Sequence, residues 1–198
     1  KRAGSLHDNR VAAARKFEKN VENDLKAVAL EKARFEVRFD GGDDDGSFTA
    51  DGYDRVEFYF SANPGESVRP LAKVASGGEA TRLMLILKTT ARSNDTDKTV
   101  VFDEIDIGIG GRVAEAVGRK LKELAATSQV FCVTHQPQIA SLADRHFVVE
   151  KSESDGRTTI SLRELNAVEK VEEIARMLAG SEITEAAREN ARAMLAAS

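Results

Sequence analysis

With 198 residues, 41% of them hydrophobic and 31% charged, the chain can bury one sizeable core and has the composition of an ordinary globular domain. Its net charge of −4 gives no overall pull towards nucleic acid, and no apolar run approaches the roughly 20 residues of a bilayer span, so no membrane partner is expected. Lys1-Arg2-Ala3-Gly4-Ser5 opens no signal-like apolar region, and a lone Cys132 excludes an internal disulfide framework and fits a reducing compartment. A cytoplasmic location is therefore the expectation.

From about Asn9 to Lys32 neither Gly nor Pro occurs, and a single helix is expected. Ala14, Val21 and Val28 recur at seven-residue spacing, with Phe17 and Leu25 on the same side, the pattern of a docking helix or the root of a coiled coil. This segment is locally basic; a solvated face of mixed charge is the simpler reading than a nucleic-acid patch. Arg34–Asp40 alternates as a half-buried strand (Phe35, Val37 and Phe39 on one side), and Arg55–Ser61 repeats the pattern with Val56, Phe58 and Phe60. The two are expected to pair antiparallel. The acids of Gly41–Gly46 do not have calcium-loop spacing and read as a solvated turn.

After Pro70, a loop through Ser76-Gly77-Gly78 leads into an apolar helix expected over Glu79–Arg92. A strand at Thr99–Phe102, a helix at Arg112–Ala126, a strand at Gln129–Thr134, a short helix near Gln138–Ala143 and a strand at His146–Glu150 follow. Such alternation argues a parallel sheet with helical crossovers. Thr158–Glu164 is read as the partner of the preceding strand, and helices at Val168–Ala179 and Thr184–Ala196 close the sequence around a Gly180-Ser181 stop.

Three motifs carry chemistry. Val100-Val101-Phe102 ends in Asp103-Glu104, which delivers two carboxylates to the C-terminal edge of a strand, the edge where open α/β sheets bind ligands. In phosphoryl transfer the first acid of such a pair holds Mg²⁺, and the second positions or deprotonates water. Ser76-Gly77-Gly78-Glu79 opens a helix, where backbone N–H groups and the positive helix end suit a phosphate; alone it is an ordinary turn or cap. His135 follows a second apolar strand on the same edge, where an imidazole could contact a terminal phosphate or sense its loss; alone, a histidine after a strand is an ordinary structural residue. Asp106 reads as structural, Gly108, Gly110 and Gly111 as a loop whose backbone can approach a ligand or partner, and His7 and His146 carry no constellation.

Lys73–Glu79, Thr99–Gly111 and Val133–Pro137, in this order and spacing, resemble the ABC-type ATPase heads of the SMC-like family. The resemblance implies an α/β fold: the C-terminal lobe of such a head, a mainly parallel sheet flanked by helices, with a small antiparallel portion. The division it implies is a coiled-coil root over 1–33 and the lobe over 34–198. It assigns Ser76, Gly77, Gly78 and Glu79 to the signature motif that meets the nucleotide of the opposing head. Asp103 becomes the Mg²⁺ acid, acting through water, Glu104 the general base, and His135 the switch histidine. ATP and Mg²⁺ are the implied cofactors. The implied partners are a second identical head, DNA and an N-terminal lobe carrying the phosphate loop. The implied role is double-strand break repair at the nucleoid. Gly110 stands where related heads often carry aspartate, so contacts inferred from that aspartate do not carry over. No Gly-x-x-x-x-Gly-Lys-[Ser/Thr] run is present, so by itself the chain is expected to be inactive. A transporter subunit is disfavoured by Ile105 where transporters place proline; a non-catalytic scaffold is disfavoured by the intact acids and His135.

Overall fold

A computed structural model describes residues 2–40, 48–74, 77–91, 98–154, 157–180 and 182–197. The acidic turn at 41–46 and Ser76 lie outside these residues. The first helix, α1 (Arg2–Ala27), starts seven residues earlier than its composition suggests and stops five residues sooner. Its stop is a Schellman-type cap: Ala29 adopts φ 59°, and Leu30 N–H donates to Leu25 O at 3.1 Å. The left-handed residue is Ala, not Gly, so the sequence carries no stop signal.

Strands β1 (Arg34–Asp40) and β2 (Arg55–Ser61) pair antiparallel, with Phe35 opposite Phe60 and Val37 opposite Phe58. A two-residue strand, β3 (Arg69–Pro70), extends this sheet on the far side of β2 and is followed by a 3₁₀ turn at Leu71–Lys73. The free edge of β1 is closed by α1. Glu18 and Glu22, one helical turn apart, accept the backbone N–H groups of Val37 at 2.6 Å and Phe35 at 3.2 Å. The helix therefore supplies the acceptors that a further strand would have supplied.

Helix α2 (Gly78–Ala91) leads to β4 (Thr99–Phe102), then α3 (Gly111–Ala125) and β5 (Gln129–Cys132). β4 and β5 are parallel neighbours, Val100 beside Val130 and Phe102 beside Cys132, as a strand–helix–strand crossover requires. After the short α4 (Pro137–Ala140), β6 (Phe147–Ser154) does not join them. It forms an antiparallel hairpin with β7 (Arg157–Glu164). The parallel sheet of the described residues is thus a pair, with the hairpin separate. Helix α5 (Ala167–Ala179) opens on a capping box between Asn166 and Glu169, and α6 (Glu185–Ala196) on the Thr184 hydroxyl.

One core joins the end of α1 (Val21, Leu25, with Val28 beyond it) to Phe35, Phe60, Leu83, Ile86, Phe102, Ile105, Val117 and Ile139. A second, smaller cluster ties Ala140 to Ile174, Ala175 and Ala191 of α5 and α6. The inner face of β4–β5 lies on the first core. Its outer face is bare: Val101, Phe131 and Val133 are 65%, 47% and 60% exposed.

Candidate functional site

β4 ends at Phe102, and the chain turns immediately. Asp103 and Glu104 are both exposed at the C-terminal edge of the parallel pair. Glu104 N–H donates to Asp103 Oδ1 at 2.9 Å, and Glu104 itself adopts φ 59°, a left-handed conformation that costs a non-glycine residue on the order of 1 kcal/mol or more. That turn frees the two adjacent acids from the opposite-face geometry of a strand, and both reach the same rim. Gly108 at φ 74° and Gly111 at φ 52° complete the loop with conformations suited to glycine. Gly110 is extended, and a Cβ there would meet nothing nearer than Gln136 Oε1 at 3.8 Å. Glycine is therefore no steric necessity at that position.

The next turn of the loop buries Asp106, which is 3% exposed. Its Oδ2 accepts from the Thr134 hydroxyl at 2.5 Å and the His135 backbone N–H at 2.9 Å, and it lies 3.1 Å from His135 Nδ1. One carboxylate oxygen thus pins the segment after β5 to the segment after β4. With Nδ1 beside the Asp106 carboxylate, Nε2 faces outward; His135 is largely exposed, with the Gln136 amide nitrogen 3.3 Å from Nε2. Asp106 is structural, as the sequence suggests. That it orients His135 follows only from the fold.

The glycine-rich start of α2 meets the same loop. Gly77 is half-buried, Gly78 is buried and Glu79 is exposed in the first helical turn. A Cβ on Gly78 would stand 2.9 Å from Arg82 Nη1, 3.1 Å from Ile107 O and 3.2 Å from Glu104 O. Only glycine fits without displacing backbone. Arg82, which motif reading passed over, is 5% exposed and donates through Nη1 to Ile107 O at 3.1 Å and Ile105 O at 3.5 Å. Burial lowers its pKa, and the charge of Glu79 acts the other way. The sequence signal was a lone cation on the otherwise uncharged helix face Gly78, Arg82, Ile86, Thr89.

Cys132 sits at the end of β5, half-buried against the core. Burial pushes its thiol up to about 12, helped by the charges of Asp106 and Asp103, so it is no nucleophile. His7, without partners in the sequence reading, pairs with Asp54 at 2.5 Å, and Arg10 joins the same carboxylate at 3.0 Å. This cluster fastens α1 to the approach of β2 and shares no residue with the site. An apolar groove between α1 and the β1–β2 sheet, lined by Ala13, Phe17, Phe39, Val56 and Phe58, is also separate from the chemistry. Among the described residues no group of three or more His, Cys, Asp or Glu could hold a metal by protein ligands alone. Asp103 suits Mg²⁺ in a different way: an exposed hard-oxygen donor at a rim, for an ion that keeps waters and takes substrate phosphates.

No protein-family model matches the chain. It is 45% identical, over 98% of its length and 34% of the relative's, to the DNA repair protein RecN of Halalkalibacterium halodurans. The RecN proteins of Rickettsia felis (41% identity, 98% of this chain, 35% of the relative) and Bacillus subtilis (37%, 98% and 36%) match similarly. The chain thus spans about a third of the length of the curated relatives it matches. In fold it resembles the Smc head domain with a coiled coil and joint from Pyrococcus yayanosii. That match has TM-score 0.51 and 19% identity, and covers 83% of this chain and 29% of that one.

Proposed function

We propose that this RecN-like chain is the C-terminal lobe of an SMC-like ATPase head acting in DNA double-strand break repair. One observation carries the reading: the loop after β4 joins Asp103 and Glu104 to the Gly77–Gly78 helix start on one side and to His135 on the other. Three motifs separated in sequence form one rim.

In this reading Asp103 would hold Mg²⁺ through water, and the ion would supply charge neutralisation for the phosphates. Glu104, lifted out of the strand by its left-handed turn, orients the attacking water and takes its proton. His135, its backbone N–H bonded to Asp106 and its ring beside that carboxylate, turns towards the terminal phosphate. Ser76, Gly77, Gly78 and Glu79 present the positive end of α2 to the nucleotide bound by a second, identical head, so pairing of two heads completes each site. DNA is the object of the work that pairing and release perform. Segment 1–33 is read as the root of the coiled-coil arm and 34–198 as the lobe.

The chain contains no phosphate-loop lysine motif, so an N-terminal lobe supplies it. The bare outer face of β4–β5 supports this partner. Parallel strands are normally covered on both faces, and Val101, Phe131 and Val133 form an apolar strip that only another packed layer would remove from water. The names of the relatives and the residue after the acids, Ile105, both favour this reading over a transporter subunit.

The test is Mg²⁺-ATP hydrolysis by the chain alone, by a Walker A-bearing lobe alone, and by the two together. Turnover only in the mixture, abolished by Glu104→Gln, supports the split site. No turnover from an assembled complex would favour a scaffold.

A further inference from the structure

Arg82 is the only cation among the buried residues of α2. Both of its hydrogen-bond partners are backbone carbonyls, Ile107 O at 3.1 Å and Ile105 O at 3.5 Å, and its Nε has no hydrogen-bond partner among the described residues. A guanidinium removed from water and given carbonyls rather than a carboxylate is a costly arrangement. A leucine or methionine would fill an apolar helix face without that cost, as Leu83, Leu85 and Ile86 do nearby.

What the guanidinium touches gives it a use. Its Nη1 lies 2.9 Å from where a Gly78 Cβ would stand, in a layer shared with Glu104 O and Ile107 O. The loop beyond is itself a tight turn, with Ile107 N–H donating to Glu104 O at 3.3 Å and Ile109 N–H to Asp106 O at 3.3 Å. Moving the start of α2 therefore drags the carbonyls of Glu104 and Ile107, and with them the aim of the Glu104 side chain. Arg82 is the bolt between the two.

We propose that Arg82 is a positioning residue that makes the glycine-rich start of α2 and the Glu104 loop move as one unit. Engagement of residues 76–79 by the opposing head's nucleotide then sets the alignment of Glu104 on this head's own nucleotide. This rests on the ATPase reading above. It adds that each composite site reports its occupancy to the other through a single buried side chain. Rigid elements with two discrete arrangements are the physical carriers of such coupling.

The experiment uses the protein that carries this chain together with a Walker A lobe, as wild type, Arg82→Met and Arg82→Lys. Steady-state ATPase, ATP-dependent head pairing in a Glu104→Gln background, and thermal melting are measured on each. The expected result for Arg82→Met is a kcat lower by about tenfold or more with the KM for Mg²⁺-ATP held within about twofold, since ground-state binding belongs to other groups. Pairing persists, and Arg82→Lys, which keeps the charge and N–H donors without the planar fork, restores part of kcat. An active wild type with an unchanged Arg82→Met kcat overturns the proposal. So does a parallel fall of kcat, pairing and melting temperature with no benefit from lysine, which marks a purely structural role. A wild type without ATPase activity, indifferent to Glu104→Gln, overturns the ATPase reading and this proposal with it.

Discussion

Asp106 and His135 are joined twice: one carboxylate oxygen accepts the His135 backbone N–H at 2.9 Å and stands 3.1 Å from the Nδ1 of its ring. Backbone position and imidazole orientation of the histidine thus share one buried anchor. Asp106→Ala leaves the Thr134 hydroxyl and the His135 N–H without that acceptor and should destabilise the lobe by about 2–3 kcal/mol. Asp106→Asn keeps the volume but changes what Nδ1 meets. On the proposed ATPase reading it lowers kcat by about tenfold or more with little change in KM, the scale seen for outer partners of metal-bound histidines. Combined with His135→Ala it should add little. Full additivity of the two kcat losses would separate Asp106 from the histidine.

The bare sheet face gives a second expectation. Phe131→Asp on the outer face of β5 places charge where the chain alone exposes the ring to solvent, so its own folding should change by less than about 1 kcal/mol. Association with the Walker A lobe should weaken by tenfold or more, because a carboxylate would be buried without a partner. Equal binding of wild type and variant would place the lobe elsewhere.

Cys132 provides a pH test. Its thiol is raised from 9.0 to about 12 by burial and by the nearby acids. A raised acid binds its proton more tightly folded than unfolded, so its contribution to stability is complete below pH 9.0 and is lost as pH climbs towards about 12. Urea midpoints of wild type and Cys132→Ala should run parallel below pH 9.0 and converge or cross above it. Alkylation should be slow in the native state and rapid once the chain is unfolded. Fast native labelling at neutral pH would contradict the assignment.

At the other end of the molecule, burial alone would raise the Asp54 carboxyl, but hydrogen bonds and charge from His7 and Arg10 outweigh it and hold it below the usual range. A lowered acid contributes stability above its ordinary pKa of 3.8 and loses it as pH falls below that value. Asp54→Ala removes the partner of both α1 side chains. Amide exchange should quicken over the first ten residues of α1 and stay unchanged over Phe17–Ala27, which is held by Glu18, Glu22 and the core. Uniform exchange along the helix would show that Asp54 does not anchor it.

Much of the fold was legible where local pattern and tertiary demand agree. β1, β2 and β4 begin and end where alternation and the apolar run place them; β1 and β4 bury one face on the core, and β2 is held by its ladder to β1 and by buried Phe60. The end of α1 was hidden because an alanine takes the position glycine would normally mark. The first turns of α1 are fastened to Asp54, 47 residues from His7, a contact that no local pattern carries. The pairing of β6 with β7 was legible in their order along the chain, whereas the extent of the parallel sheet was not, since alternation cannot say which strands share an edge. At the site, the residue types of Asp103, Glu104 and His135 carry their own chemical argument. Asp106 and Arg82 do not: their roles lie in what they touch, 28 and 23–25 residues away.

The central claim is that the signature residues of one head complete the site of another, and mixing two inactive proteins tests it most directly. Glu104→Gln and Ser76→Arg are each made in the longer protein that carries this chain, then combined in equal amounts with DNA present. In a symmetric pair the mixed dimer keeps one intact site, formed by Glu104 of one head and Ser76 of its partner. With independent sites about a quarter of wild-type activity would reappear; the coupling proposed for Arg82 brings recovery below that figure but above zero, since the head that keeps Glu104 carries the blocked residue 76. Mixed dimers that form but recover no activity would mean that the acids and the glycine-rich helix start serve one nucleotide within a single head.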